Sequence, residues 1–383
     1  MHILVFGIPL REGMAGSVRV RNLLYPLVSD ASVTINNLYF ALQADGLSDA
    51  GRSDELKIDL NFKSVFSILS YLYKSLYFIN KCFISGKKNV FYLYETPDIK
   101  TFIPLAFAKL MGYKVVLDIV EDNSEAASFG GRINKIRIQS GAYILKNFQS
   151  LIDLNIVISS HLEKLLLQYT QPHKVVFIPV TMDISKFITN DILKKEVNTL
   201  FYGGSFGKKD GLPLLLEAFE AVCKEHPTLQ LVLTGKGENV DDFNEFMSLV
   251  QKSNFVDRIS YKGFIPSAEY QGLLNSCEIF CVIRDNSGAA NTGFPSKLAE
   301  YLATGKAVIV TNVGDVASYL VDKENALLVP PEDLDSLVAA IRYLINNPEQ
   351  VNVIGSKGRE VAINRFNNRI ESQKLFNVLH GIS

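Results

Sequence analysis

At 383 residues, the chain is too long for one ordinary hydrophobic core and suits two domains. Hydrophobic residues make up 48% and charged residues 21%, which is typical of a folded globular protein and argues against extended disorder. The net charge of -1 argues against a dedicated nucleic-acid binder. The four cysteines are too few for a disulfide framework, and no histidine pair accompanies them to form a zinc site. We therefore expect a cytoplasmic protein.

The N-terminal half is predicted to be a parallel α/β domain. Residues 2–7 resemble a buried strand, without the basic leader or cleavage site of a signal peptide. Further short β-branched runs predict strands at 90–94, 114–120, 156–158 and 175–178. Continuous apolar runs separated by helical segments are typical of parallel sheets that are buried on both faces.

Basic charge is concentrated in this half. Residues 1–190 carry 20 Lys and Arg against 16 Asp and Glu, whereas residues 191–383 carry 19 against 24. Segment 62–84 has apolar residues at helical spacing, interrupted by lysines, and no apolar run reaches the roughly 18 residues that span a bilayer. Two interpretations stay open for this segment: a buried helix of the α/β domain, or a helix that lies on a membrane surface.

A polar stretch at 184–198 separates the two halves, and we place the domain boundary between residues 185 and 186. In the second half, strands are predicted at 199–202, 229–234, 259–261, 279–283, 307–311 and 326–329. This pattern predicts two doubly wound domains, at residues 1–185 and 186–383. A helix is predicted at 356–379, and it could return to pack on the first domain. Asp333-Leu334-Asp335 is interpreted as a helix cap and not as a metal-binding triplet.

A glycine-rich loop follows the first strand of the second half, at residues 202–211. Glycines such as Gly204 let the backbone approach a bound group, and amides ahead of a helix favour anions. Lys208 and Lys209 add positive charge where a diphosphate would bind. The loop does not match the G-x-x-x-x-G-K-[ST] pattern of nucleotide hydrolases.

The main candidate for a binding site lies further along. It reads Thr292-Gly293-Phe294-Pro295-Ser296-Lys297-Leu298-Ala299-Glu300. Pro295 suits the first position of a helix, so the amides of the next three residues would be open to a phosphate. Glu300 is then placed to accept hydrogen bonds from both ribose hydroxyls of a nucleotide. The alternative is a surface ion pair between Lys297 and Glu300.

Together these segments resemble the retaining GT-B glycosyltransferases of group 1, the family 4-like type. The strongest match is residues 294–297 with 300–306; residues 13–16 are similar to the family's first glycine loop, and 178–183 and 313–315 to two of its turns. The resemblance implies two Rossmann-like doubly wound parallel-sheet domains facing across a cleft. The N-terminal domain would bind the acceptor and the C-terminal domain the nucleotide sugar.

The resemblance also implies roles for single residues. Lys208 matches the family's phosphate-binding lysine, with Lys209 as the near alternative; Glu300 matches its ribose-binding glutamate, and Phe264 and Ile265 match the segment that holds the base. The full set of expected donor-binding residues is Gly13, Gly16, Gly204, Phe264, Ile265, Thr292, Gly293, Phe294, Ser296, Lys297 and Glu300.

Three positions depart from the family pattern. Thr292 stands where the family has its first glutamate, no arginine precedes Lys208, and Glu121-Asp122 replaces the histidine that often follows the strand at 114–120. Two interpretations of this pair stay open. In one, Glu121 or Asp122 orients hydroxyls of the sugar or of the acceptor; in the other, both residues belong to a solvated loop.

The expected activity is transfer of a sugar from a UDP- or GDP-sugar to a hydroxyl of a glycan or a polyprenyl-linked acceptor. We expect no metal and no further cofactor, a role in bacterial surface polysaccharide synthesis (capsule or O-antigen), and contact with the inner face of a membrane through the basic N-terminal half. The alternatives are a nucleotide-sugar epimerase or small-molecule glycosyltransferase on the same fold, and a non-catalytic binding protein, which Thr292 and the missing arginine keep open.

Overall fold

The computed structural model describes residues 1–8, 15–29, 32–42, 55–60, 65–122, 132–187, 196–237 and 239–382. The chain divides into two compact units. Unit 1 contains Met1–Pro179 together with Asn368–Ser383, and unit 2 contains Val180–Asn367. The boundary therefore lies between Pro179 and Val180, a few residues before the position predicted from the polar stretch.

The helices and strands alternate along the whole chain. In the first half they are β1 (His2–Phe6), α1 (Ala15–Leu24), β2 (Thr34–Leu42), β3 (Glu55–Leu60), α2 (Val65–Cys82), β4 (Asn89–Tyr94), α3 (Ile99–Leu110), β5 (Lys114–Ile119), α4 (Arg132–Asn147), β6 (Leu154–Val157), α5 (Ser160–Leu166) and β7 (Val175–Phe177). In the second half they are β8 (Thr199–Gly204), α6 (Leu212–Cys223), β9 (Gln230–Gly235), α7 (Val240–Lys252), β10 (Ile259–Tyr261), α8 (Ser267–Ser276), β11 (Ile279–Val282), α9 (Gly288–Thr292), α10 (Ser296–Ala303), β12 (Ala307–Thr311), α11 (Val316–Tyr319), β13 (Leu327–Val329), α12 (Leu334–Asn346), α13 (Pro348–Arg365) and α14 (Asn368–Gly381).

Over the described residues, the sheet of unit 1 has seven parallel strands in the order β3-β2-β1-β4-β5-β6-β7. The five strands predicted in this half are confirmed, but β2 and β3 were missed. Asn36 and Asn37 interrupt the apolar run of β2. The strand β3 lies at the sheet edge and alternates apolar with charged residues, which the search for continuous apolar runs does not detect.

The sheet of unit 2 has six parallel strands among the described residues, in the order β10-β9-β8-β11-β12-β13. All six predicted strands are confirmed. Its core joins apolar residues of the strands to α6, α7, α12 and α13. The cap expected at Asp333 or Asp335 is formed by Asp333, whose Oδ1 accepts the Ser336 amide at 2.9 Å at the start of α12.

The single helix predicted at 356–379 is wrong, since the segment forms two helices. The helix α13 ends at Arg365, and Phe366 leaves the helical conformation to pack against Phe294 and Tyr319, with ring centroids 5.5 and 5.0 Å away. The next helix, α14, belongs to unit 1 and packs on α1, where the Ser372 hydroxyl donates to the Leu23 carbonyl at 2.7 Å.

Candidate functional site

The strand order of unit 2 reverses at β8, with β9 on one side and β11 on the other. In open parallel sheets, ligands bind beyond the carboxyl ends of the strands at such a switch point. Here β8 and β11 are paired at Leu200–Ile279 and Phe201–Phe280, whereas β8 continues beside β9 as far as Gly204. The two strands therefore separate beyond Phe201 and leave a gap at the switch point.

The side chain of Tyr301, on α10, fills the base of this gap. Its hydroxyl accepts a hydrogen bond from the Gly203 amide at 2.8 Å and donates one to the Gly203 carbonyl at 3.0 Å. The buried ring packs against Phe201 and Phe280. Burial raises the pKa of Tyr301 well above its usual range, so the hydroxyl stays neutral. One hydroxyl thus replaces the strand partner that Gly203 lacks on this side.

The glycine-rich loop after β8 is held in shape by the Asp210 carboxylate. Its Oδ2 accepts hydrogen bonds from the Tyr202 hydroxyl at 2.9 Å, the Ser205 hydroxyl at 3.1 Å and the Gly207 amide at 3.1 Å. A Cβ atom on Gly204 would overlap the Tyr202 hydroxyl, so glycine is required here by the protein's own packing. The loop is therefore preorganised, which a phosphate-binding loop requires.

Phe206, in the middle of this loop, has a backbone φ of 54°, which is unfavourable for a bulky residue and costs on the order of 1–3 kcal/mol. Its buried ring packs against Phe243 and Tyr261, which holds the conformation. Lys208 lies two residues further along, is 67% exposed, and has its Nζ 3.9 Å from Asp242 Oδ1. At that distance and exposure the ion pair contributes little to stability, so the Lys208 ammonium can move to an incoming anion.

The backbone of Lys209 takes part in joining the glycine-rich loop to the next loop at the switch point. Its carbonyl accepts a hydrogen bond from the Asp285 amide at 3.2 Å, and the Gly211 amide donates to the Ile283 carbonyl at 3.0 Å. These bonds join the loop after β8 to the loop after β11. The two loops that flank the switch point therefore form one connected backbone surface.

The run 292–300 lies on the β11 side of this surface. The side chains of Thr292 and Phe294 are buried, and the Phe294 ring packs against Tyr319 and Phe366 at 5.3 and 5.5 Å. A Cβ atom on Gly314 would come within 3.1 Å of the Gly293 carbonyl, so a neighbouring turn packs closely on this segment. The Phe294 side chain is thus a core side chain, and a ligand contact of its backbone stays a prediction.

The start of α10 differs in detail from the prediction. The helix begins at Ser296, and Pro295 is its N-cap residue and not its first helical residue. The Leu298 amide, expected to be open, donates to the Pro295 carbonyl at 3.0 Å, because the first turn is tight. The amides of Ser296 and Lys297 precede the intrahelical hydrogen bonds of α10, so two amides and not three are offered to an anion.

Glu300 is engaged with Lys297 and Tyr270. Its Oε2 lies 3.0 Å from Lys297 Nζ and accepts from the Tyr270 hydroxyl at 3.4 Å, while Lys297 Nζ lies 5.2 Å from the centre of the Tyr270 ring. Burial opposes the charge on Lys297, but the Glu300 carboxylate outweighs it and raises the pKa of Lys297. The ion pair left open by the sequence is therefore present, and it fixes the orientation of the Glu300 carboxylate.

The segment expected to hold the base follows β10. The Gly263 carbonyl accepts from the Thr234 hydroxyl at 2.6 Å and from the Gly235 amide at 2.9 Å, which ties this segment to the end of β9. Phe264 is 63% exposed, and Ile265 is half-buried. Since Gly235 also packs directly on the Gly204 carbonyl, the end of β9 links this segment to the glycine-rich loop.

In unit 1, Gly13 lies outside the described residues, and Gly16 lies in the first turn of α1 and not in a loop. A Cβ atom on Gly16 would come within 2.6 Å of both Ile8 and the Tyr94 ring, so its small size serves packing between α1 and β4. A direct ligand contact of Gly16 through its backbone stays a prediction.

Asp122 follows β5 and contacts a residue that the sequence analysis missed. Its Oδ2 lies 2.8 Å from His161 Nε2, in the helix after β6, whereas Glu121 is exposed. Asp122 is only 11% exposed and is therefore not a solvated loop residue. The Ser159-Ser160-His161 run directly after a predicted strand was the available signal, because parallel strands place their following residues at the same edge of the sheet.

A second missed feature of unit 1 is a buried ion pair. Arg19 donates to both oxygens of Asp118 at 2.8–3.0 Å and to the Pro179 carbonyl at 2.9 Å, and the Tyr92 hydroxyl donates to Asp118 at 2.6 Å. Burial opposes the charge on Arg19, but Asp118 outweighs it and raises the pKa of Arg19. Because every partner is hydrogen-bonded, this network is structural, and it joins α1, β4 and β5 to the last residue of the first stretch of unit 1.

Across the described residues, no group of three or more His, Cys, Asp or Glu side chains is placed to hold a metal ion.

Comparison with known proteins places the second half of the chain in a family. Residues 183–361 match the family described as Glycosyl transferases group 1. An uncharacterized glycosyltransferase of Haemophilus influenzae is 25% identical over 174 residues, which are 44% of this chain and 46% of that protein. The phosphatidyl-myo-inositol mannosyltransferase of Mycolicibacterium smegmatis is 22% identical over 45% of this chain and 43% of that protein. This chain thus spans less than half the length of these two relatives.

A longer match is the putative colanic acid biosynthesis glycosyl transferase WcaI of Escherichia coli, which is 23% identical over 68% of this chain and 67% of that protein. Among solved structures, sucrose-phosphate synthase of Thermosynechococcus elongatus aligns over 100% of both chains with a TM-score of 0.77 and 17% identity. Anabaena HepE in complex with UDP and glucose aligns over 99% of both chains with a TM-score of 0.76 and 14% identity. These similarities show the fold, which is of the GT-B class with two Rossmann-like domains.

Proposed function

Because residues 183–361 belong to the glycosyl transferases group 1 family, we propose that the chain transfers a sugar from a nucleotide diphosphate sugar to a hydroxyl group, with retention of the anomeric configuration. The donor is a UDP- or GDP-sugar carrying a hexose or an N-acetylhexosamine. The acceptor is a glycan or a polyprenyl-linked glycan. The observation that carries the proposal is the joining of the preorganised loop at 203–211 to α10, through the two hydrogen bonds between Gly203 and Tyr301, at the strand switch point of unit 2.

In the proposed complex, the donor diphosphate lies against unit 2. The amides of Ser296 and Lys297 and the ammonium groups of Lys208 and Lys209 supply hydrogen bonds and positive charge to the phosphates. Glu300 accepts hydrogen bonds from the ribose hydroxyls, and the exposed segment around Phe264 contacts the base. The amides at the start of α10 and the Glu300 carboxylate are positioned before the ligand arrives, which reduces the ordering cost of binding.

The proposed reaction needs no nucleophile from the protein. The acceptor oxygen bonds to the anomeric carbon while the bond from that carbon to the β-phosphate oxygen breaks on the same face, and the acceptor proton passes to the departing phosphate. Stabilising the negative charge that develops on the diphosphate is then the main contribution of the lysines and amides. We propose that the reaction needs no metal, which predicts equal rates with and without a chelator such as EDTA.

The two lysines are separable by experiment. Each is expected to contribute a charge-assisted hydrogen bond worth about 1.5–3 kcal/mol, so losing the phosphate contact weakens UDP binding about 10- to 100-fold. Lys208→Ala and Lys209→Ala, measured singly by calorimetry with UDP, identify which lysine makes the contact. Lys224→Ala, an exposed lysine at the end of α6, is the matched control. If neither of the two substitutions changes the affinity, the assignment of the glycine-rich loop to the diphosphate is wrong.

On unit 1, we propose that Asp122 orients a hydroxyl of the transferred sugar or of the acceptor, and that His161 positions its carboxylate. Glu121, which is exposed next to it, is the alternative contact. Asp122→Asn should then lower kcat/KM while leaving the affinity for UDP unchanged, because the nucleotide is bound by unit 2. An unchanged kcat/KM for both Asp122→Asn and Glu121→Gln would remove these residues from the proposal.

The experiment that tests the whole proposal is a donor panel. Purified protein is mixed with UDP, GDP and their common sugars, and the unfolding temperature is followed; a ligand at 100 times its dissociation constant should stabilise the fold by about 2.7 kcal/mol. With the stabilising donor, product formation on a polyprenyl-linked or soluble glycan is detected by mass spectrometry, and NMR of the product reports the anomeric configuration. Absence of stabilisation by every nucleotide would refute the nucleotide-sugar site.

The same panel separates the other candidate functions. A nucleotide-sugar epimerase would convert the donor without an acceptor, and a small-molecule glycosyltransferase would act on soluble alcohols and not on lipid-linked glycans. A non-catalytic binding protein, which Thr292 in place of a glutamate favours, would bind the nucleotide without turnover. The similarity to WcaI supports a role in surface polysaccharide synthesis at the inner face of the membrane.

A further inference from the structure

The helices α2, α3 and α4 lie next to one another in unit 1, with α3 packed against both of the others. Their outward faces are apolar to a degree that the other helices do not show. The exposed large apolar side chains on them are Phe66, Ile68, Leu69, Tyr73, Tyr77, Ile99, Ile103, Leu110, Ile136 and Tyr143. Many exposed large apolar side chains on neighbouring helices are typical of an interaction site.

The helix α2 carries the clearest part of this surface. Tyr71, Ser75 and Ile79 point into unit 1 and are buried. On the opposite side, Phe66, Leu69, Tyr73 and Tyr77 recur at helical spacing and are 84%, 56%, 70% and 57% exposed. The rings of Tyr73 and Tyr77 stack with their centroids 6.2 Å apart. This outward row, which we call the aromatic stripe (Phe66, Leu69, Tyr73, Tyr77), is about 16 Å long at 1.5 Å per residue.

The charged residues within the same three helices are all basic. Their sequences contain eight Lys and Arg and no Asp or Glu. On α2, Lys74 and Lys81 are exposed along one side of the aromatic stripe, and on α4 Lys135 and Lys146 are exposed. Basic residues beside exposed aromatic and aliphatic residues are the composition of a helix that lies in the interface of an anionic bilayer.

We propose that the aromatic stripe of α2, flanked by Lys74 and Lys81, docks unit 1 on an anionic phospholipid surface. The stripe inserts at the depth of the headgroups, where Tyr is favoured because its ring is apolar and its hydroxyl remains hydrated. The lysines contact the lipid phosphates. No described helix is long and apolar enough to cross a membrane.

A protein partner fits these observations less well. The central part of a protein interface is depleted in charged residues, whereas here lysines lie directly beside the stripe. A second copy of the chain would bring the same basic residues of α2 together, and like charges at a symmetric contact repel one another. An anionic bilayer offers an apolar interior to the aromatic stripe and negatively charged phosphates to the lysines.

The test is co-sedimentation of the purified full chain with vesicles. Vesicles of phosphatidylcholine containing about one third phosphatidylglycerol should bind the protein, and vesicles of phosphatidylcholine alone should bind it weakly. Raising the salt concentration should weaken binding to the anionic vesicles, because added ions screen the lysine–phosphate attraction. The assay needs no nucleotide sugar, so its outcome is independent of the transfer reaction.

Two pairs of variants test the surface. Lys74→Gln with Lys81→Gln should weaken binding about 25-fold, at about fivefold for each lysine, and Tyr73→Ser with Phe66→Ser should weaken it by at least about tenfold. The controls change exposed residues of unit 2, Lys224→Gln with Lys252→Gln and Val321→Ser with Val353→Ser, and should bind like the unchanged protein.

Circular dichroism and the unfolding temperature confirm that each variant is folded. The proposal is overturned if anionic vesicles do not bind the unchanged protein or if the stripe variants bind as well as the controls. It is also overturned if light scattering shows a dimer that Tyr73→Ser dissociates while vesicle binding stays the same, because the stripe would then be a contact between two copies.

Discussion

Replacing Tyr301 with Phe removes one oxygen atom and tests how the switch point is held together. The hydroxyl both accepts from the Gly203 amide at 2.8 Å and donates to the Gly203 carbonyl at 3.0 Å, in a buried position. Tyr301→Phe leaves a buried donor and a buried acceptor unpaired, and each costs about 1–3 kcal/mol. In the unchanged protein the strands β8 and β11 do not pair at Gly203, so β11 cannot replace the hydrogen bonds that the variant loses. We expect a loss of about 2–4 kcal/mol in the free energy of unfolding of unit 2.

Differential scanning calorimetry of the full chain measures this loss. For a unit of this size, each kcal/mol lowers the midpoint by about 2–4 °C, so the transition of unit 2 should fall by roughly 5–15 °C while that of unit 1 is unchanged. Tyr261→Phe is the matched control, because its hydroxyl makes a single bond, to the Gly235 carbonyl at 2.9 Å, from an exposed position. The control should shift the midpoint by about 2 °C or less.

The same variant has a second readout in ligand binding. If the Tyr301 hydroxyl positions the glycine-rich loop, the affinity for UDP should fall together with stability. A midpoint within about 2 °C of the unchanged protein would refute the claim that the hydroxyl replaces a strand partner. A large loss of stability with full UDP affinity would instead show that the loop is positioned by Asp210 alone.

Three further predictions concern other sites. Glu300→Gln should weaken UDP binding about 10- to 100-fold, measured by calorimetry against the exposed-surface control Glu349→Gln, and equal affinities would remove the ribose assignment. Burial first, then the nearby charges of Lys87 and the N-terminus, lower the pKa of His2 to about 4. Since this lies below the unfolded value of about 6.5, stability should be constant above that pH and fall by about 2–3 kcal/mol between pH 6.5 and 4. The His2→Gln protein should lose less over the same range in urea titrations. Asp98→Ala should lower the free energy of unfolding by about 1 kcal/mol, because the Asp98 side chain accepts hydrogen bonds from two amides at the start of α3. An unchanged urea midpoint would show that the cap is redundant.

Most of the architecture could be predicted from the sequence because buried parallel strands are continuous apolar runs. Most strands of unit 2 and most of the five predicted in unit 1 contain such a run, although Asp118 interrupts β5 and Asn155 interrupts β6. The strands β2 and β3 do not, since Asn36 and Asn37 interrupt one and charged residues alternate in the other. Their places in the sheet depend on tertiary pairing, which local patterns do not record.

The candidate site was predictable where it depends on backbone geometry and not where it depends on contacts across the sheet. The glycine-rich loop and the start of α10 could be predicted because glycine and proline have local conformational preferences. The Tyr301–Gly203 contact joins residues 98 positions apart, and the Asp122–His161 pair joins residues 39 apart. Neither separation leaves a periodic signal. The core position of Phe294 was missed for the same reason, because its partners Tyr319 and Phe366 are distant in sequence.

The return of α14 to unit 1 has a consequence for synthesis on the ribosome. Leu375 and Leu379 of this helix are fully buried in the same core as Ile3 and Val5, and burying each leucine contributes about 1.5–3 kcal/mol. Unit 2 is a continuous stretch of chain, whereas unit 1 needs residues from both ends. Residues 1–179 therefore wait for a helix that is translated after all of unit 2, and unit 2 can complete its core first, the reverse of the usual N-terminal-first order.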